Sequence, residues 1–218
     1  MLELDFTCLD VQAQRWAAAP TLRVRLGVTG PADVRVHAGV LTCQLRIDPR
    51  ARDYTDAEAQ KLACVFGEPS RWAASMQQLQ FATVTAMLPG FTARTEMELL
   101  VPCSYDLEVG LGKFFHALSG GDVPLTLLFS GTVFVATAAG VQVARVPWDR
   151  EANHRMPAAI WRDLMDLYFP DSAWIRLRRD TTDALLRYQA RHAVPSADAA
   201  LAGLLADRQE EAACPVPR

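Results

Sequence analysis

Cysteine and histidine are scarce in this 218-residue sequence, at five and four, and none lies near another. No CxxC, HxxxH or HExxH occurs, so local spacing writes no zinc site. The cysteines, Cys8, Cys43, Cys64, Cys103 and Cys214, are odd in number and widely spread. That pattern argues against a disulfide framework and for a reducing compartment, so a cytoplasmic location is expected. Lysine is rarer still: Lys61 and Lys113 stand against twenty arginines, which reads as genomic base composition and not as chemistry. Neither sign of charge dominates, with 22 basic and 25 acidic residues and a net charge of −3. A dedicated nucleic-acid-binding domain is usually strongly basic, so no nucleic-acid partner is expected. Long apolar runs are missing too. The longest stretch, Val123 to Val143, is interrupted by Pro124, Ser130, Gly131, Thr132, Thr137 and Gly140. No transmembrane helix and no membrane partner are expected. The first residues carry acids where a secretory leader would carry basic ones, so no leader is expected either. Twelve glycines and thirteen prolines are too few for a collagen-like or low-complexity chain.

Half of the residues are apolar and 22% are charged, a balance that supports one folded domain, or one with an appendage. Residues 1–50 read as strands. Leu2, Leu4 and Phe6 alternate with Glu3, Asp5 and Thr7, and Leu22, Val24 and Leu26 alternate with Arg23 and Arg25. The alternation from Val34 to Ile47 slips near Gly39, which predicts a bulge or bend there. The β pattern resumes over 79–147, at Phe81–Thr85, Thr92–Val101, Leu125–Ala136 and Val141–Val146, with Ser119-Gly120-Gly121-Asp122 as a turn. Tyr105 to Leu118 fits either a strand or a helix. Seven to nine strands are expected, enough for two sheets.

Helices are expected in two places. Thr55-Asp56-Ala57-Glu58 is a capping box, in which hydroxyl and carboxylate each satisfy a free backbone donor. It starts a helix that carries Leu62, Val65 and Phe66 and ends at Gly67, with a short second helix over 70–76. From Pro147 the pattern is helical. Ile160, Trp161, Leu164, Leu167 and Tyr168 form an apolar stripe ended by Pro170. Asp180 with Asp183 resembles a cap for a helix carrying Leu185, Leu186 and Tyr188, and Ser196 starts a third. The residues after Asp207 read as a frayed tail.

Little in this pattern concentrates chemistry. Ser130-Gly131 lies inside a strand, so the glycine reads as a bulge or close packing and not as a nucleophile elbow. Gly110-Leu111-Gly112-Lys113 lacks the spacing of a phosphate-binding loop. Glu96 and Glu98 fall on one strand face, the solvated one, and Glu108 is no stronger as an acid or base. A Cys103–His116 pair is conceivable, but nothing local activates the thiol. Arg176, Arg178 and Arg179 lie near Trp174, yet residues 145–218 hold eleven arginines against eleven acids, which fits local ion pairing. Trp148, Trp161 and Trp174 are expected to dock the helical tail on the sheets.

Several stretches resemble a family of uncharacterised bacterial proteins, a domain of unknown function. They are LDFTCLD (4–10), CQLRIDP (43–49), LPGFT (88–92), VPCSYDL (101–107), FHAL (115–118), VPLTLLFSGTVF (123–134), VPW (146–148) and WRDLMDLYFPDSAWIRLRRD (161–180). The resemblance covers roughly residues 2–206. Genes of that family often lie beside those for an oxygen-tolerant [NiFe]-hydrogenase and its maturation factors. The resemblance therefore implies an accessory role, with a hydrogenase subunit or maturation factor as protein partner, and it assigns no catalytic residue.

The expected fold is mainly β with α: an antiparallel β-sandwich over 1–147 with a helical insertion at about 55–77, a helical subdomain over 148–207 and a flexible tail over 208–218. An open antiparallel sheet with helices on one face is the alternative. Three functions fit. The first is a non-catalytic, cytoplasmic, protein-binding accessory module without a cofactor. The second is an enzyme or metal-handling protein whose site gathers dispersed residues, with Cys103, His116 and His154 as candidate ligands. The third is an oligomer-forming module that uses an exposed tryptophan or a strand edge. Oligomeric state is not legible.

Overall fold

The computed structural model describes residues 2–103, 109–138, 140–172, 175 and 177–213. Among the described residues nine strands form two antiparallel sheets. The first sheet has the order β1 (Asp5–Ala13), β2 (Thr21–Thr29), β6 (Arg94–Pro102). The second has the order β4 (Leu79–Leu88), β3 (Arg35–Ile47), β7 (Asp122–Thr137), β8 (Gly140–Val146). Within it β5 (Phe91–Thr92) also pairs with β3, and β9 (Glu151–Pro157) with β7. The alternating apolar residues place Leu22, Val24, Leu26, Met97 and Leu99 of the first sheet, and Leu41, Cys43, Leu45 and Leu127 of the second, in one core. The rings of Phe6 and Phe129 stack across it at 4.1 Å between centroids.

Strand β7 is the spine of the second sheet. Its first half pairs with β9, from Asp122 opposite Pro157 to Leu128 opposite Glu151. Its second half pairs with β8, from Gly131 opposite Val146 to Thr137 opposite Gly140. The hand-over falls at Gly131, whose φ of +155° and close approach to β3 admit no side chain. A Cβ there would stand 2.2 Å from the Val40 carbonyl oxygen. The slip expected near Gly39 is a register shift between Val36 and Ala38.

The capping box is formed: Thr55 caps α1 (Asp56–Phe66), and Gly67 closes it with φ +78°. A 3-10 turn at Pro69–Arg71 leads to the short α2 (Trp72–Ser75). Helix α3 (Val109–Ala117) resolves the ambiguity of that stretch in favour of helix for its described part. The preceding residues 104–108 lie outside the described residues, Glu108 among them. Helix α4 (Ala158–Tyr168) buries Leu164 and packs Ile160, Trp161, Met165 and Tyr168 on the core, whereas Leu167 is solvent-facing. Trp161 stacks on Phe115 at 4.1 Å and meets Phe81 edge-on, which anchors α4 beside α3.

Further expectations differ from the structure. Residues 151–157, expected in a helical region, are strand β9, because β7 extends past β8 and offers its first half for pairing. Trp148 is 89% exposed, so it does not help Trp161 dock helices, and Trp174 lies outside the described residues. Asp180 is not a cap. Helix α5 (Arg179–His192) starts one residue earlier, and Asp180 sits in its first turn, where a carboxylate favours the helix dipole.

The chain divides into two compact units, Met1–Ala173 and Trp174–Arg218. The second is a helical hairpin of α5 and α6 (Ala197–Ala213). Ala193 closes α5 in the left-handed conformation, and the Ser196 hydroxyl accepts from the Ala199 N–H at the start of α6. Helix α6 runs on to Ala213, past Asp207, where fraying was expected. The alanines and acids of that stretch are good helix formers.

Candidate functional site

The described polar groups converge most densely around Arg52 and Glu58. Their side chains are 7% and 4% exposed and lie 3.3 Å apart. One Glu58 oxygen accepts from the backbone N–H and the hydroxyl of Ser119, at 2.8 and 3.0 Å. The other accepts from the Thr55 N–H at 3.0 Å. Burial pushes the Glu58 carboxyl up, but these donors and the Arg52 guanidinium outweigh it, and the group titrates below its ordinary value. Arg52 also donates to the carbonyls of Asp53, Gly120 and Asp122 and lies over the Tyr54 ring. Every donor and acceptor in this cluster that binds the pair is satisfied inside the fold. The arrangement clamps the helical insertion to the turn that starts β7. Both carboxylate oxygens of Glu58 are engaged by groups of the fold itself.

The thiols are equally withdrawn. Burial pushes Cys8 up to about 11, and Cys43 and Cys103 up to about 12, from an ordinary 9.0. The Cys103 thiol donates to the Val101 carbonyl at 3.4 Å. His116 is exposed on the last turn of α3, and His154 is half-buried on β9 opposite Leu125. Among the described residues no three His, Cys, Asp or Glu side chains gather as they would around an ion. The dispersed trio Cys103, His116 and His154 is therefore not assembled into a ligand set. Cys64 is exposed, and Cys214 lies outside the described residues. Of the basic cluster, Arg178 and Arg179 are exposed at the start of α5, and Arg176 lies outside the described residues. A shallow open pocket of about 240 Å³ is lined by Arg35, Val36, His37, Gly90, Phe91 and Thr92, small for a drug-sized ligand.

The two outer sheet faces differ sharply in chemistry. On the first sheet, Arg23 faces Glu98 and Arg25 faces Glu96 in exposed ion pairs. This is the solvated face expected for Glu96 and Glu98. On the second sheet, register places Met87 opposite Val40, Val40 opposite Thr132, Phe134 opposite Val143, and Ala136 opposite Val141. The side chains of Met87, Val40, Phe134, Val143 and Val141 thus share one outer face. They are 66%, 38%, 36%, 60% and 62% exposed. Sequence reading missed this face. Its residues come from four strands, β3, β4, β7 and β8, and only the register shows that they share one outer face.

The described chain is thus a two-sheet antiparallel sandwich with helices α1 to α4 packed about it and a further helical hairpin. It belongs to a family of unknown function, DUF6084, whose model matches residues 1–213. No curated protein matches it. Among solved structures it is similar to β-glucosidase 3B from Thermotoga neapolitana in complex with α-D-glucose, at 12% identity and a TM-score of 0.25. That match covers 71% of this chain and 17% of the other. It is also similar to a β-glucosidase from Kluyveromyces marxianus in complex with glucose, at 10% identity and a TM-score of 0.22, with 71% and 15% covered. The chain spans less than a fifth of those proteins, and scores this low carry no inference about activity. No helix among the described residues is long and apolar enough to cross a membrane.

Proposed function

We propose that the chain is a non-catalytic accessory module that binds a protein through the outer face of its second sheet. The observation that carries this reading is the set of exposed apolar side chains Met87, Val40, Phe134, Val143 and Val141 on one outer face, interspersed with Thr132 and Arg145. Exposed apolar surface bordered by polar residues is characteristic of interaction sites. Around it Thr42, Thr85, Gln44 and Thr83 supply the polar rim. The family resemblance supports a hydrogenase subunit or maturation factor as the partner. Four free thiols among the described residues support a reducing, cytoplasmic location.

The test uses the purified chain and the hydrogenase subunits and maturation factors of its host. Binding should be measurable with the native sequence and should fall at least tenfold with Val40→Glu combined with Met87→Glu. Deletion of the gene should lower hydrogenase assembly or activity. Unchanged assembly after deletion removes the hydrogenase assignment. Equal binding by the double variant removes the assignment to this face.

A further inference from the structure

Strand β8 ends the second sheet. Among the described strands it is hydrogen-bonded on one side only, to β7. The opposite outer strand, β4, lies against β6 of the first sheet. Sheet edges are normally blunted by proline, charged side chains or a bulge. Strand β8 carries one charge, Arg145, near its end; residues 140–144, Gly-Val-Gln-Val-Ala, carry none of these devices, and the ladder with β7 runs without a register shift.

Those five residues also read almost alike in both directions. Antiparallel pairing with an identical strand about Gln142 would set Val141 opposite Val143, Val143 opposite Val141, and Gly140 opposite Ala144. Apolar meets apolar, small meets small, and no charge meets its own copy, since Arg145 falls outside the paired segment. A two-fold interface requires this kind of self-complementary surface. The side chains that would meet are already 62% and 60% exposed, and they continue into Phe134 on the same face.

We infer that β8 is a homodimerisation edge. Two copies pair antiparallel through β8 about a two-fold axis at Gln142, joining the two second sheets into one continuous sheet. The occupant is a second copy because the segment about Gln142 is complementary to itself in size, polarity and charge. Val141 and Val143 belong both to this edge and to the proposed client-binding face. Dimerisation would also place two apolar outer faces side by side.

Sedimentation velocity over a concentration series tests it, with the full chain and two matched variants. The native chain should rise with concentration from 24.0 kDa towards twice that mass. Val141→Glu with Val143→Glu sets Glu against Glu twice across the axis and should remain monomeric. Val141→Glu with Val143→Lys sets Glu against Lys twice and should restore the dimer. Both variants place two charges at the same exposed positions, so a folding defect would affect them alike, and circular dichroism monitors it. Rescue by the Glu/Lys variant alone supports the register about Gln142. A native chain that stays monomeric throughout, or a dimer that is indifferent to both variants, overturns the inference. The readout is mass alone and does not depend on any client.

Discussion

The Arg52 guanidinium stands 3.3 Å from the Glu58 carboxylate, with both side chains nearly withdrawn from water. This pair is the closest approach to an active-site constellation among the described residues, and its surroundings make it a clamp. Ser119, Gly120 and Asp122 hold one side and Thr55 the other, so α1 and the start of β7 are tied through buried charge. Breaking a buried pair by removing one partner leaves the other uncompensated.

Glu58→Ala should therefore destabilise the fold by about 3–5 kcal/mol. Urea denaturation measures it. Because Glu58 titrates below its ordinary value in the folded state, its contribution is present above the unfolded carboxylate range near 4.5. It is lost as pH falls through the lower folded value. Glu58→Gln should flatten that acid limb, and an unchanged limb would mean that the clamp does not form.

The buried thiols predict an alkaline limb of opposite origin. Unfolded cysteines ionise near 9.0, whereas folded Cys8 holds its proton to about 11 and Cys43 and Cys103 to about 12. Between those values the native state binds more protons than the unfolded one, so stability falls as pH rises above about 9. Cys43→Ala should make the decline shallower in pH-dependent melts. In alkylation with peptide mapping at neutral pH, Cys64 should label quickly and Cys8, Cys43 and Cys103 only after unfolding.

Gly131→Ala should be severe. The φ of +155° is a conformation available almost only to glycine, and the new Cβ would meet backbone oxygen at 2.2 Å. A loss of at least about 3 kcal/mol, or failure to fold, is expected. Ser130→Ala, at an exposed neighbouring position, should change stability by less than about 0.5 kcal/mol. A comparable loss from both substitutions would contradict the close-packing role given to the glycine.

The strand pattern was legible because alternation survives in Arg23–Leu26 and Arg94–Val101, where one face meets water. The capping box was legible because it is local. Strand β9 was not. Glu151-Ala-Asn-His-Arg-Met-Pro alternates only weakly, and its pairing depends on how far β7 extends. The clamp was half visible: Glu58 announced a helix cap, but Ser119 lies 61 residues away, and no spacing rule joins them. The spacing of Cys103, His116 and His154 was uninformative for the converse reason, since single histidines and cysteines carry no information about their neighbours in space. Cys103 went to the core and His116 to the surface.

The proposed role of the outer face of the second sheet is to receive a protein. Titration calorimetry of the purified chain against the hydrogenase subunits and maturation factors, repeated with Val40→Glu/Met87→Glu, tests it most directly. The variant should keep its melting transition within a few degrees of the native chain, and saturable binding should be seen with the native chain and lost with the variant. Binding of equal strength by both would contradict this role for the face, and no heat with any of these proteins would contradict a hydrogenase partner.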